Sequence, residues 1–327
     1  HAPAVRELYV ELPDEDPGKA QGLVGKLNLS LYGTRDAAAN WQKCVAEHLV
    51  GIGFQQGLSN PCVFHHRERN VRTLVHGDDY ASTGDLKNLK WLQTELETRF
   101  DMKTQVVGHS GKEGVVEEAR ILNRIVRASR GGWEYECDQC HVEIILEQLE
   151  LKIAKPVGTP GVEDATTVAE EADEQPLSAD LTSLYRAISA RANYIAQDRS
   201  DIQYAVKELC RRMSAPTAGD MKKLVRLGRH LVGKPRAVAL FPWQATRAVL
   251  DVFSDANWAG CKASRKSTSG GAVLSGSHVV RTWSKTQNTL AQSSAESELL
   301  AIVRAATEAL GMISLAADLG IDLSARI

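Results

Sequence analysis

The chain has 327 residues, of which 43% are hydrophobic and 24% are charged, a composition typical of a folded globular protein. At about 150 residues per domain, this length predicts about two domains. No run of eighteen apolar residues occurs, so the sequence predicts no transmembrane helix and no membrane partner. The first residues lack the basic and apolar regions of a secretory signal. The 39 Lys and Arg against 41 Asp and Glu do not by themselves indicate a nucleic-acid-binding protein.

Charge is nevertheless segregated along the chain. Residues 207–236 contain nine Lys and Arg but only two acids, and no Asp or Glu occurs between Asp255 and Glu296. In contrast, six acids fall within residues 163–174. The basic segments indicate local surfaces that could face phosphates, although a solvated basic surface explains them equally well.

The six cysteines are spread over the chain without a secretory context, which predicts reduced thiols in an intracellular protein. Cys137, Cys140 and His141 match the CxxCH pattern of haem c attachment. No export signal accompanies the pattern, and no second ligand pair has the spacing of a zinc site. We therefore interpret these residues as the first turn of a helix.

The predicted elements of the first half alternate between strands and helices. Hydrophobic periodicity predicts strands over residues 6–12, 62–65, 71–75, 119–126 and 133–136, and helices over 36–49, 86–100 and 141–149. Residues 156–176 combine Gly, Pro and the acidic cluster, which is typical of a linker.

The second half begins with helices and ends with mixed elements. Helices are predicted over residues 180–213 and 217–232, with an interruption at Ala215–Pro216. Strands are predicted over 248–254, 269–274 and 277–283, followed by a helix over 299–310. The whole pattern predicts the α+β class.

The segment Val75–Tyr80 places two adjacent carboxylates, Asp78 and Asp79, at a tight turn between two strands. At ~4 Å and an effective dielectric constant of about 20, two unit charges repel by roughly 4 kcal/mol. A divalent cation would remove this repulsion, and Mg²⁺ prefers such oxygen ligands. A solvated hairpin turn is the alternative interpretation, because Gly and Asp are common in turns.

Two further carboxylates are candidate metal ligands. Asp255 ends a predicted strand beside a turn of small residues, although a strand-terminating Asp is common. Ser293 and Glu296 satisfy the S-x-x-E pattern of a helix capping box, which gives Glu296 a structural role. Glu298 has no such role and lies at the edge of an apolar stripe that we predict to be buried, formed by Leu299, Ile302, Val303, Ala306 and Leu310. Glu298 therefore either faces water or joins a metal site.

Segments along nearly the whole chain resemble, in the correct order, the Pol polyproteins of copia-type retrotransposons. The matching segments are LNLSLYGTRDAAANW ending at Trp41, VHGDDYASTG starting at Val75, KPVGTP at 155–160, YRAI and DIQYAV within 185–206, MSAPT at 213–217, SDANWAG at 254–260, RKSTSG at 265–270, WSKTQ at 283–287 and SSAESE at 293–298. The family segment that aligns with the Asp pair is YVDD, so His76 and Gly77 replace its Tyr and Val.

The resemblance implies a partial reverse-transcriptase palm, a helical thumb or connection, and the N-terminal part of an RNase-H-like domain. The implied boundaries are 1–155 for the palm, 156–177 for the acidic linker, 178–240 for the helical part and 241–327 for the RNase H part. The implied function is RNA-directed DNA polymerisation with RNase H, through two-metal phosphoryl transfer.

The implied site residues fall into two groups. The catalytic metal ligands are Asp78 and Asp79 in the palm and Asp255 and Glu298 in the RNase H part, with Mg²⁺, or alternatively Mn²⁺, as cofactor. The implied nucleic-acid contacts are Arg35, Trp41, Arg265, Lys266 and Lys285. The expected partners are an RNA template, a DNA primer, an RNA/DNA hybrid and dNTPs, and the expected location is cytoplasmic or nuclear.

Some carboxylates of the family pattern have no counterpart in this sequence. The family's first palm Asp precedes the segment that matches residues 1–10, and two RNase H carboxylates follow the segment that matches the end of the chain. We therefore expect a fragment with little or no activity by itself. A non-catalytic nucleic-acid-binding remnant and a decayed insertion without selected function are the alternatives.

Overall fold

The computed structural model describes residues 2–109, 111, 114–161 and 171–327, and it confirms the α+β class. It contains two compact units, His1–Thr104 with Ser314–Asp322, and Gln105–Ile313 with Leu323–Ile327. The predicted domain boundaries follow the family resemblance rather than compactness, and they stay a prediction. Residues 162–170 of the predicted acidic linker lie outside the described residues.

The first unit combines two helices with a four-stranded antiparallel sheet. A separate antiparallel pair consists of β1 (Tyr9–Glu11) and β2 (Val24–Lys26). The sheet has the order β3 (Gln55–Gln56), β4 (Val63–His66), β5 (Val71–His76) and β6 (Asp79–Thr83). The helices are α1 (Ala37–Gly51) and α2 (Leu86–Glu97). The predicted hairpin and both predicted helices of this region are therefore confirmed, with ends shifted by up to three residues.

Apolar side chains from both helices and the two central strands form the core of the first unit. The α1 residues Val45 and Leu49 are almost fully buried, as the helical spacing predicts. They pack in one cluster with Phe64, Val71 and Leu92 from β4, β5 and α2. This core supports the hairpin that carries Asp78 and Asp79.

In the second unit, a first sheet has the order β12-β11-β10-β9, with all neighbours antiparallel. Its strands are β9 (Glu118–Ile121), β10 (Arg124–Ser129), β11 (Gly132–Cys137) and β12 (Val238–Pro242). A separate, short parallel pair precedes them in the chain and consists of β7 (Val106–Val107) and β8 (Val115–Val116). The single strand predicted over 119–126 is wrong. Leu122 and Asn123 have φ values of 47° and 61°, so they form a two-residue hairpin turn between β9 and β10.

Four helices of the second unit enclose an apolar cluster: α3 (Cys140–Gln148), α4 (Ala179–Ile195), α5 (Gln203–Arg211) and α6 (Ala218–Gly233). The helix predicted over 180–213 is broken between α4 and α5. In this break Arg199 is 1% exposed, and its guanidinium donates to both carboxylate oxygens of Asp201. Asp201 also contacts His230 of α6 at 3.2 Å, and Arg199 donates to the Lys234 carbonyl at 2.9 Å, so tertiary contacts of a buried guanidinium and its local ion pair replace helix here.

A second sheet of this unit has the order β15-β14-β13-β16. Strands β13 (Val249–Asn257), β14 (Thr268–Ser275) and β15 (His278–Thr286) are antiparallel neighbours, and β16 (Ser324–Arg326) is parallel to β13. Helix α7 (Ser294–Asp318) packs Ala305 and Ala309 against Leu250, Val252 and Trp283 of this sheet.

The buried face of α7 differs from the predicted one. The stripe predicted to be buried is largely exposed, with Leu299, Ile302, Val303 and Leu310 between 46% and 64% exposed. The buried face consists instead of Ala301, Ala305, Ala309 and Ala316. The reason is steric, because the large sheet residues, Trp283 above all, leave space only for small residues on the helix.

One described helix, α7, has the length and composition of a candidate membrane span, although the sequence has no run of eighteen apolar residues. With 25 residues and a mean hydropathy of 1.6 over its most apolar window, α7 is long and apolar enough by length and composition, while 22% of that window is buried. The core helix of a soluble protein can pass the same test.

Candidate nucleic-acid and metal site

Asp78 and Asp79 lie on the β5–β6 hairpin, where the sequence predicts a tight turn. His76 pairs with Asp79, so Gly77 and Asp78 form a two-residue loop. Gly77 has a φ of 64°, which favours glycine, and Asp78 is not among the residues with positive φ. Both carboxylates are exposed to solvent. The hairpin therefore presents two adjacent anions.

Aromatic side chains lie beneath this hairpin. The indole Nε1 of Trp41 donates a hydrogen bond to the Gly77 carbonyl at 2.6 Å, and the Trp41 ring meets Phe100 edge-on at a centroid distance of 5.2 Å. The Tyr80 hydroxyl is buried and has no hydrogen-bond partner among the described residues. Burial, followed by the nearby Cys44 and Asp78, raises the pKa of Tyr80 well above its usual value, so this phenol stays neutral.

Of the two predicted nucleic-acid contacts in the first unit, the structure brings only Trp41 into contact with the hairpin. Arg35 is exposed in the turn that precedes α1. The adjacent Asp36 pairs with Arg6 at 3.0 Å, and this guanidinium holds the pKa of Asp36 below its usual value.

Glu298 contacts the strand that carries Asp255, although 42 residues separate the two acids in the chain. Asp255 is exposed on β13, where it pairs across the sheet with Gly270. Glu298 lies in the first turns of α7, and its Oε1 accepts a hydrogen bond from the backbone N–H of Ala256 at 3.3 Å. Ala256 directly follows Asp255, so Glu298 lies beside the next position of β13, while successive side chains of a strand point to opposite faces of the sheet.

Glu296 has the structural role that the sequence predicts. Its backbone N–H donates to the Ser293 hydroxyl at 3.1 Å, and its carboxylate accepts from the N–H of Gln292 at 2.7 Å. The carboxylate thus caps α7 one residue earlier than in the standard capping box. Glu298 remains the carboxylate that faces β13.

The predicted basic contacts of the second unit lie at the same end of the second sheet as Asp255. Lys285 pairs with Ser269, which pairs with Ala256, so these three residues form one cross-strand row. Arg265 and Lys266 lie in the loop that enters β14; Arg265 is exposed with a φ of 54°, and Lys266 is half-buried.

The chemistry of these donors fits a hard divalent cation. Within the described residues, none of Asp78, Asp79, Asp255 and Glu298 forms an ion pair that would neutralise its charge. Each pair offers carboxylate oxygens, which Mg²⁺ and Mn²⁺ prefer. No group of three or more His, Cys, Asp or Glu in the described part of the chain is placed to hold a metal ion. Among the described residues, neither carboxylate pair therefore has a third such ligand beside it.

Sequence reasoning missed the contacts between α5 and the loop that enters β14. Lys207 Nζ donates to the Thr268 hydroxyl at 2.7 Å, and Arg211 contacts Cys261 Sγ at 3.0 Å. Burial raises the pKa of the Cys261 thiol, but hydrogen bonds from Ser264 and Arg211 outweigh it and lower that pKa to about 7. Lys207 and Arg211 are four residues apart, so two cations lie on the same face of the helix. This spacing is the sequence feature that could have indicated the contacts.

Known proteins resemble the chain over most of its length. The retrovirus-related Pol polyprotein from transposon RE2 of Arabidopsis thaliana is 30% identical over 322 residues, which cover 97% of this chain and 21% of the polyprotein. The corresponding polyprotein from transposon RE1 of the same plant is 30% identical over 304 residues, covering 92% of this chain and 20% of that protein. No family model matches.

One solved structure, of the foamy viral protease–reverse transcriptase dRH in complex with ds DNA, aligns with a TM-score of 0.46 and 12% identity over 84% of this chain and 40% of that chain. The sequence relatives, rather than this weak structural likeness, define the class. Over most of its length the chain is homologous to retrovirus-related Pol polyproteins of copia-type transposons. It spans about a fifth of the length of the polyproteins that it matches.

Proposed function

We propose that the chain contributes two metal-dependent phosphoryl-transfer sites to a retrotransposon polymerase, one for RNA-directed DNA synthesis and one for RNase H cleavage. The observation that supports the proposal is the hydrogen bond from the Ala256 N–H to Glu298, which puts Glu298 beside the strand position that follows Asp255. The Asp78–Asp79 hairpin supplies the other site. The similarity of the chain to Pol polyproteins supports this assignment.

At the polymerase site, the chain's residues bind and orient. Asp78 and Asp79 would hold the Mg²⁺, because both are exposed at the turn of the hairpin, Asp78 in the loop and Asp79 at the start of β6. Mg²⁺ bound there would stabilise charge on the attacking and leaving oxygens of phosphoryl transfer. Arg35 would contact a phosphate of the template or of the incoming dNTP.

At the RNase H site, Glu298 is fixed by Ala256, whereas Asp255 faces open space. A Cβ added at Gly270, the cross-strand partner of Asp255, would find its nearest atom 4.0 Å away. A nucleic-acid phosphate could therefore approach Asp255 closely. Arg265, Lys266 and Lys285 would hold the RNA/DNA hybrid at this end of the sheet.

We further propose that this chain alone binds nucleic acid but turns over little, because two carboxylates hold a catalytic Mg²⁺ less well than three. The test is binding of a fluorescein-labelled RNA/DNA hybrid, measured by anisotropy at several salt concentrations. The variant Arg265→Ser/Lys266→Ser/Lys285→Ser should bind more weakly, and its log–log salt slope should fall by about one for each phosphate contact that is lost.

The control variant, Lys87→Ser/Lys90→Ser/Lys152→Ser, removes the same charge from exposed lysines elsewhere. It should retain most of the affinity. Equal losses in the two variants would show only an effect of net charge and would contradict the proposed hybrid surface.

A further inference from the structure

We propose that Trp41 is a positioning residue for the Asp78 and Asp79 carboxylates. Its indole N–H holds the Gly77 carbonyl and thereby fixes the peptide plane from which Asp78 projects. The inference rests on the proposed function for the role of the two carboxylates. It gives Trp41 a task different from the direct nucleic-acid contact that the family resemblance implies.

The contact is short and its donor is held firmly. The distance of 2.6 Å between Trp41 Nε1 and Gly77 O lies below the usual range for this bond. The Trp41 ring projects from α1 and meets Phe100 edge-on, with 68° between the ring planes. Phe100 itself is 8% exposed and belongs to the core cluster of the first unit. The tether therefore connects the hairpin loop to the packed core.

The loop needs such a tether because its own bonds constrain it little. Gly77 has no side chain, lies in the left-handed region and has no atom within 4 Å of the position that a Cβ would occupy. The two carboxylates also repel each other at neutral pH. Since the Gly77 carbonyl and the Asp78 N–H belong to one planar peptide unit, holding the carbonyl also sets the direction in which the Asp78 backbone continues.

A merely structural role for Trp41 predicts a different result and can be separated by substitution. Trp41→Phe keeps an aromatic ring against Phe100 but removes the N–H donor. Trp91→Phe is a matched control in the same unit, because the Trp91 indole donates to Glu95 Oε1 at 3.0 Å within α2, not to the hairpin. Both variants lose one indole hydrogen bond, and only one of those bonds reaches the loop.

The experiment records ¹H–¹⁵N spectra of the isotope-labelled chain, first without metal. The chain has six tryptophans, and Trp41→Phe assigns the Trp41 indole signal, which should exchange slowly with solvent. Trp41→Phe should shift the amide signals of Gly77, Asp78 and Asp79, whereas Trp91→Phe should leave them in place. Unchanged loop signals in Trp41→Phe would overturn the inference, whatever the metal does.

A Mn²⁺ titration of the same samples then measures the consequence for the carboxylates. The Mn²⁺ affinity of the hairpin is measured from the Mn²⁺-dependent broadening of its signals. Trp41→Phe should lower this affinity about 3- to 10-fold, the size expected for one lost hydrogen bond. Broadening near Asp255 and Glu298 should stay unchanged. An unaltered Mn²⁺ affinity at the hairpin of Trp41→Phe would refute the positioning role and leave the proposed function intact. If Mn²⁺ broadens the signals of neither site in the unsubstituted chain, the proposed function itself is contradicted.

Discussion

Gly77 shows how one residue relates the family resemblance to the local geometry. The resembling family segment has Val where this chain has Gly77, and the φ of 64° is a conformation that β-branched residues rarely adopt. Glycine removes a backbone cost of roughly 1–2 kcal/mol at this position. The replacement of Val by Gly77 therefore removes backbone strain from the loop. Asp78 and Asp79 keep the positions that the two aspartates have in the family segment.

Glu136 is a buried carboxylate whose charge the fold requires. It is 1% exposed and accepts hydrogen bonds from Arg236, Arg127 and Gln139. The bond from Arg236 lowers the pKa of Glu136 most. Burial raises this pKa, but with the bonds from Arg127 and Gln139 the net result is a pKa of about 2. A lowered folded-state pKa stabilises the fold above the unfolded value of about 4.5, and this stabilisation is lost as the pH falls from about 4.5 towards 2.

We expect Glu136→Gln to reduce the free energy of unfolding at pH 7 by roughly 1–3 kcal/mol, because two guanidinium groups lose their anion. The difference from the unsubstituted chain should shrink as the pH is lowered through this window. Urea unfolding between pH 7 and pH 2.5 measures both effects. Glu134→Gln on the same strand is the control, and a Glu136→Gln difference that stays constant with pH would speak against the ion-pair explanation.

At the scale of elements, the steric fit of β14 against its neighbours gives a sharp prediction. A Cβ added at Gly271 would lie 2.0 Å from the Trp283 ring and 2.5 Å from the Phe253 carbonyl oxygen, whereas one at Gly270 would meet nothing closer than 4.0 Å. Gly271→Ala should therefore lower the free energy of unfolding by roughly 1–3 kcal/mol, and Gly270→Ala should change it by less than about 0.5 kcal/mol. Thermal unfolding of the two variants measures the difference. Equal shifts of Tm would mean that the sheet adjusts to a side chain at Gly271 and would contradict the steric explanation.

Elements with strong local signals could be predicted from the sequence. The hairpin of β4 and β5 has two apolar runs around a polar turn, and α1 has apolar residues at helical spacing, so both appear close to the predicted positions. The turn at Leu122–Asn123 has no glycine, and the break between α4 and α5 depends on the buried guanidinium of Arg199 and its contacts with Asp201 and Lys234. Local periodicity contains neither kind of information.

The candidate site was predictable to a similar extent. The short motif around Asp78 and Asp79 placed both carboxylates on a hairpin, and capping logic separated Glu296 from Glu298. The contact between Glu298 and Ala256 and the bond from Trp41 to Gly77 join residues that are 42 and 36 positions apart. Spacing alone cannot reveal such tertiary contacts. Glu298 and Trp41 could be singled out as candidates, but only the fold shows what each side chain touches.

At the scale of the whole molecule, each compact unit carries one carboxylate pair: Asp78 and Asp79 in the first, and Asp255 and Glu298 in the second. Because the pairs belong to different units, their metal sites should respond independently to substitution. The two proposed phosphoryl-transfer sites are therefore separate, one in each unit.

The most direct test of this account is a Mn²⁺ titration followed by electron paramagnetic resonance, which counts the bound ions. The unsubstituted chain should bind Mn²⁺ at two sites. Asp78→Asn/Asp79→Asn should remove one site and Asp255→Asn/Glu298→Gln the other, with Mg²⁺ competing at both. Stoichiometry that does not change in either variant would contradict the assignment of these four carboxylates as metal ligands.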